Sequence, residues 1–84
     1  MKYTAQITIM PLKNLLDPQG KAVKNTLDNL GYKSIENVRI GKHIVMELEA
    51  DNIKLARKLT DEICRKILIN PVVETYSFEL FKQE

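Results

Sequence analysis

Eighty-four residues, 44 % of them hydrophobic and 29 % charged, make one globular domain over residues 1–84. Thirteen Lys and Arg against 11 Asp and Glu leave a formal charge of +2, which gives no electrostatic ground for nucleic-acid binding. The single cysteine, Cys64, excludes an internal disulfide framework, and no apolar run approaches the roughly 18 residues of a membrane span, so a cytoplasmic protein is expected.

Tyr3, Ala5, Ile7 and Ile9 alternate with Lys2, Thr4, Gln6 and Thr8, the period of a half-buried strand, and Pro11 ends it. This alternation also differs from the continuous apolar core of a signal peptide. A leucine-rich connection, Leu12 to Leu16, leads to Asp17-Pro18-Gln19-Gly20. Asp17 suits an N-cap and Pro18 the first helical position, where its missing N–H is not needed. Val23, Leu27 and Leu30 then form one apolar stripe, and Gly31 stops the helix. Gly20 inside the first turn costs about 1 kcal/mol relative to alanine, more than a plain cap requires.

Residues 34–40 and 44–50 read as a hairpin around Gly41-Lys42-His43. A two-residue Gly41-Lys42 turn places Val38, Ile40 and Val45 on one face and Ile35, Ile44, Met46 and Leu48 on the other. A three-residue loop instead aligns Val38 and Ile40 with Ile44, Met46 and Leu48, since one step of register exchanges the faces of a strand. The two-residue turn is the preferred reading, and it implies a covered outer face.

A second helix starts at Asp51 or Asn52 and carries Ala56, Leu59, Ile63 and Ile67 at helical spacing, with Asn70-Pro71 closing it. The last strand, residues 72–81, puts Val72, Tyr76, Phe78 and Leu80 on one parity. The order β-α-β-β-α-β predicts an α+β, ferredoxin-like fold: an antiparallel sheet with two helices on one face. The alternative for the last strand is to extend the sheet edge of a neighbouring subunit.

Chemistry is harder to find. His43 is the only histidine, and Cys64 lies beside the helical stripe as a buried structural thiol would. Glu47, Glu49 and Asp51 alternate along a strand end as a solvated face does. Lys21, Lys24, Arg39 and Lys42 are scattered cations, although Lys21 opposes the dipole of its helix. Asp17-Pro18-Gln19-Gly20 lacks the glycine spacing of a phosphate loop, and Asp17 already places negative charge where an anion would sit. No catalytic, metal-binding or cofactor-binding residue is assigned.

Taken in order, the stretches Leu15 to Tyr32 ("LLDPQGKAVKNTLDNLGY"), Val38 to Ile44 ("VRIGKHI") and Cys64 to Leu80 ("CRKILINPVVETYSFEL") resemble the PurS family. Each motif alone is weak, and their order and spacing together are specific. The family is the small subunit of phosphoribosylformylglycinamidine synthase, in purine biosynthesis. The resemblance implies a non-catalytic subunit bridging a glutaminase, PurQ, and a synthetase, PurL, and helping ammonia pass between them. The complex converts formylglycinamide ribonucleotide, ATP and glutamine into formylglycinamidine ribonucleotide, ADP, phosphate and glutamate. ATP and magnesium are expected on the synthetase subunit. The chain is expected to pair with itself as a homodimer or tetramer.

On this reading Asp17, Gln19, Gly20, Arg39, Gly41, Lys42 and His43 are candidate contacts to the large subunits. Val38, Ile40, Val45, Tyr76 and Phe78 are candidate homodimer contacts. The rival reading is a stand-alone ferredoxin-like regulatory domain binding a small metabolite at a homodimer interface, which rests on fold analogy. An RNA-recognition domain is disfavoured, because both hairpin strands lack aromatics for base stacking.

Overall fold

The computed structural model describes residues 1–13 and 17–83. The alternating first segment forms β1 (Lys2–Pro11), the central strand of an antiparallel sheet. It is flanked by β2 (Lys42–Glu49) and β3 (Glu74–Lys82), in the order β2-β1-β3. Ile7 sits opposite both Ile44 and Phe78, and Ala5 opposite both Met46 and Leu80. Because side chains alternate along a strand, these residues share one face. Tyr3, Ala5, Ile7 and Ile9 are buried there, with Ile44, Met46, Leu48, Tyr76, Phe78 and Leu80 packed around the buried centre. Val45 pairs with Gln6 and points the other way, exposed.

α2 (Ile53–Ile63) covers part of the inner face and continues into a π-helical turn, Cys64–Leu68. Asn52 is its cap, its side chain accepting from the Leu55 N–H at 2.9 Å. Ala56 is buried as the spacing predicts and Cys64 as a structural thiol would be, and Thr60, which the spacing did not mark, completes the buried stripe. Small side chains let the helix lie close over β1 and β3. Leu59 and Ile67 fall on the flank or beyond it and stay exposed.

α1 (Pro18–Asn29) begins and ends as expected. The Asp17 carboxylate accepts from the Gly20 N–H at 3.0 Å. At the other end Gly31 has φ +94°, its N–H donates to the Asp28 carbonyl and that of Tyr32 to the Leu27 carbonyl. That pair of bonds is a Schellman cap.

Two features differ from the sequence reading. Residues 34–40 form no strand, so among the described residues the sheet has three strands and the hairpin about Gly41 is absent. The Ile40 N–H of this segment donates to Asp17 instead. Nor does α1 lie on the sheet: α2 alone covers it. The order β1-α1-β2-α2-β3 remains ferredoxin-like, with α2 crossing over β1 between the mutually parallel β2 and β3. The last strand pairs within its own chain, with β1. The result is elongated, 52 × 29 × 14 Å, with a radius of gyration of 16.6 Å. A compact chain of this length has about 12 Å. Leu15 and Leu16 of the connection lie outside the described residues.

Candidate subunit interface

α1 and the segment that follows it, residues 17–41, form an arm that returns to the start of β2. Four contacts fasten its base. Asp17 accepts from the Gly20 N–H with one carboxylate oxygen and from the Ile40 N–H, at 2.9 Å, with the other. The Arg39 guanidinium donates to the Pro11 carbonyl. Gly20 and Gly41 permit the remaining two. A Cβ on Gly20 would overlap the Val38 carbonyl oxygen and the Asp17 carboxylate, and one on Gly41 the Ile9 carbonyl oxygen and the Met10 sulfur. The helix cost of Gly20 is therefore the condition for residues 37–40 to cross the first turn of α1. The same crossing turns the Ile40 N–H to Asp17 and sets the Val38 carbonyl against Gly20, away from β2.

The fastened base opens two concavities, one on each side of Asp17. A groove of about 660 Å³ is walled by Ile9, Pro11, Ile40 and Val73, with Asp17, Gln19, Lys42 and Glu74 at its rim. Lys42 Nζ stands 3.5 Å from a Glu74 carboxylate oxygen. The other oxygen of Glu74 accepts from the Asn70 N–H at 2.8 Å. That hydrogen bond, and secondarily Lys42, holds the Glu74 carboxyl below its usual range. Asp17 is also lowered, chiefly by the Gly20 N–H and then by that of Ile40, with Arg39 a lesser contributor. A smaller hollow of about 240 Å³ gathers Lys13, Lys21, Lys24 and Arg39. Lys24 is already engaged with Asp28 at 2.6 Å.

The structure brings Asp17, Gln19, Gly41 and Lys42 together on the groove, with Gly20 and Arg39 in the base behind it. His43 is separated from them: it pairs with Thr8 and lies on the outer sheet face beside Gln6, Ser77 and Glu79. Ile9, Pro11, Val73 and Glu74 were not marked by the sequence. The register that sets Pro11 opposite Glu74 delivers both to this end, a pairing visible only once β3 is aligned on β1.

Of the candidate homodimer residues, Val38 and Ile40 belong to the arm base rather than to a strand. Val45 is on the exposed outer face. Tyr76 and Phe78 instead line the inner face against the core, their rings stacked with centroids 6.4 Å apart. The Tyr76 hydroxyl donates to Asp61 on α2, and the Arg65 Nε donates to the same carboxylate at 2.9 Å. The Tyr76 hydrogen bond, followed by that of Arg65, lowers the Asp61 carboxyl. The arrangement tethers the β3-facing flank of α2.

The groove presents an apolar floor with charged and polar groups around it. Cys64 is buried in the core, its thiol pushed up by burial and by Asp61. Among the described residues no three His, Cys, Asp or Glu side chains are placed to hold a metal ion. Among the same residues no helix is long and apolar enough to cross a membrane.

Comparison with known proteins gives one consistent answer. Residues 4–82 match the family model for PurS, phosphoribosylformylglycinamidine (FGAM) synthase. The synthase subunit PurS of Synechocystis is 40 % identical over 93 % of this chain and 78 % of its own length. That of Bacillus subtilis is 35 % identical over 93 % and 92 %. Among solved structures, Thermus thermophilus PurS superposes with a TM-score of 0.86 at 35 % identity, covering all of both chains. A chain of the PurLQS structure from Thermotoga maritima gives 0.87 at 28 % identity, covering 96 % of this chain and 99 % of that one.

Proposed function

The chain belongs to the PurS family of phosphoribosylformylglycinamidine synthase subunits, and we propose that its part is to hold a glutaminase and a synthetase subunit in register. The full-length likeness to a chain of the PurLQS structure carries this reading. Its partners are then a PurL-like synthetase and a PurQ-like glutaminase, together with further copies of itself, in the cytoplasm. ATP and magnesium act on the synthetase subunit. The whole chain serves as one interaction domain.

The physical task suits a protein of this kind. Ammonia released by a glutaminase protonates and diffuses away in water unless the accepting site is held close. A subunit that supplies this coupling needs interaction surfaces and no nucleophile. The groove at the arm base is the surface we assign to the large subunits, with Asp17, Gln19, Gly41 and Lys42 as contacts. Arg39 and Gly20 keep it in shape.

Reconstitution tests the proposal. Purified synthetase and glutaminase subunits are assayed for glutamine-dependent FGAM formation with and without this chain. Glutamine-dependent activity should need the chain, while activity supported by added ammonium should change little. Equal glutamine-dependent activity without the chain would refute the coupling role.

A further inference from the structure

Three of the cations that the sequence disperses, Lys21, Lys24 and Arg39, converge on the smaller hollow beside Asp17, and Lys13, just past β1, joins them. Asp17 is the acidic residue of that lining, yet its two oxygens are taken by the Gly20 and Ile40 N–H groups. Lys24 is paired with Asp28. Among the described residues no ion pair is formed by Lys13, Lys21 or Arg39. Lys21 also stands in the first turn of α1, where no acidic residue accompanies it and the helix dipole opposes it. A charge kept against its own helix, beside two others without a carboxylate, is a local inconsistency of the kind that marks a contact site.

What the hollow has and lacks sets its occupant. No aromatic ring lines it, so a nucleotide base finds nothing to stack on. A free phosphate at a helix start uses the first-turn N–H groups, but here the Gly20 N–H is given to Asp17, whose own charge repels an anion. Lys13 and Lys21 instead carry their charge on long, exposed stems. That placement meets carboxylates presented on the surface of another protein. The hollow also differs in kind from the groove across Asp17, whose floor is apolar and whose rim carries both signs of charge. A chain that holds two different proteins gains specificity from such a difference, because the partners then do not compete for one surface.

We infer that the hollow receives an acidic segment of a large subunit, its Asp or Glu carboxylates set against the ammonium groups of Lys13 and Lys21 and the guanidinium of Arg39. The inference rests on the partnership proposed above and adds to it a second surface, with the chemistry of what docks there. Arg39 has N–H groups beyond the one donated to the Pro11 carbonyl, and a carboxylate can take two of them side by side. A carboxylate in the hollow also supplies the negative charge that the first turn of α1 lacks.

Binding to the purified synthetase and glutaminase subunits, each immobilised in turn, tests it. A charge-reversed variant, Lys13→Glu with Lys21→Glu, is compared with a neutral one, Lys13→Gln with Lys21→Gln. Lys54→Glu with Lys58→Glu, exposed on α2, makes the same change of net charge elsewhere. Circular dichroism checks each fold, and the neutral variant carries the test if the reversed one does not fold. The reversed variant should bind one large subunit about tenfold more weakly or worse, the neutral one less so, and the α2 control within about twofold of the parent. Added salt should weaken the parent more steeply than the neutral variant. A carbodiimide, which joins a lysine amine to a carboxylate in contact with it, should link Lys13 or Lys21 to an Asp or Glu of that subunit. Parent-like binding by the folded variants, or an equal loss in the α2 control, overturns the inference and leaves the partnership standing. A parent that binds neither subunit refutes both. ATP or inorganic phosphate that raises the melting temperature of the parent but not of the variants, with assembly unaffected, would give the hollow to a small anion and overturn it too.

Discussion

The sheet with α2 and the arm of residues 17–41 are built on opposite principles. In the first, local pattern and long-range packing agree: β1 alternates, its inward residues are buried, and β2 and β3 place apolar side chains around them. In the arm the local rules are equally well obeyed, with an aspartate cap, proline at the first turn and a glycine stop, yet the apolar stripe meets no core. A sequence consistent at every local level but unfinished in its packing points to contacts outside the chain. The helix is specified by its own residues, while its apolar stripe stays exposed on its own chain.

That contrast predicts where substitutions act. Ile7→Ala removes a buried side chain at the centre of the sheet and should cost about 2–5 kcal/mol in urea unfolding, taking sheet and arm together. Survival of the sheet with loss only of the arm would reverse the roles of the two regions. Gly20→Ala forces a methyl group against the Val38 carbonyl and should cost about 1–3 kcal/mol, despite the better helix propensity of alanine. Hydrogen exchange should place that loss in α1 and residues 34–41, with β1 amides unchanged.

Asp17 gives the arm a pH dependence. Its carboxyl lies below the ordinary aspartate value near 3.9, so the stabilisation is complete above about pH 4. It is lost as pH falls through the lower, folded value. Exchange protection of α1 should decline on acidification below pH 4, and Asp17→Asn should flatten that decline. An unchanged acid profile in the variant would assign the effect to another carboxylate. Val45→Thr, on the exposed outer face, should shift unfolding by no more than about 0.5 kcal/mol. A larger loss would show that this face too is covered.

Much of the molecule was legible in the residues. The cap at Asp17, the stop at Gly31 and the inward parity of Ile44, Met46 and Leu48 follow from local chemistry. Tyr76, Phe78 and Leu80 share a parity as read, but Tyr76 and Phe78, read as homodimer contacts, pack against the core. The failures share one cause. Residues 34–40 have strand-like alternation, but their pairing is decided by Asp17 and Gly20, some twenty residues upstream. Helical spacing in α2 marked Ala56, which is buried, but also Leu59 and Ile67, which are exposed, and passed over Thr60, which close approach to β1 buries. Spacing locates an apolar side and is silent on how near the neighbour comes. The groove drew Val73 and Glu74 from the far end of the chain through strand register, which no short motif encodes.

The most direct test of an arm left unfinished by its own chain is hydrogen exchange of the isolated protein across a dilution series. The amides of residues 20–30 should be protected at concentrations where the chain is associated and lose that protection on dilution to monomer, while those of β1 keep theirs. Protection of α1 that does not change with concentration would contradict the account, because the helix would then be stable on its own chain.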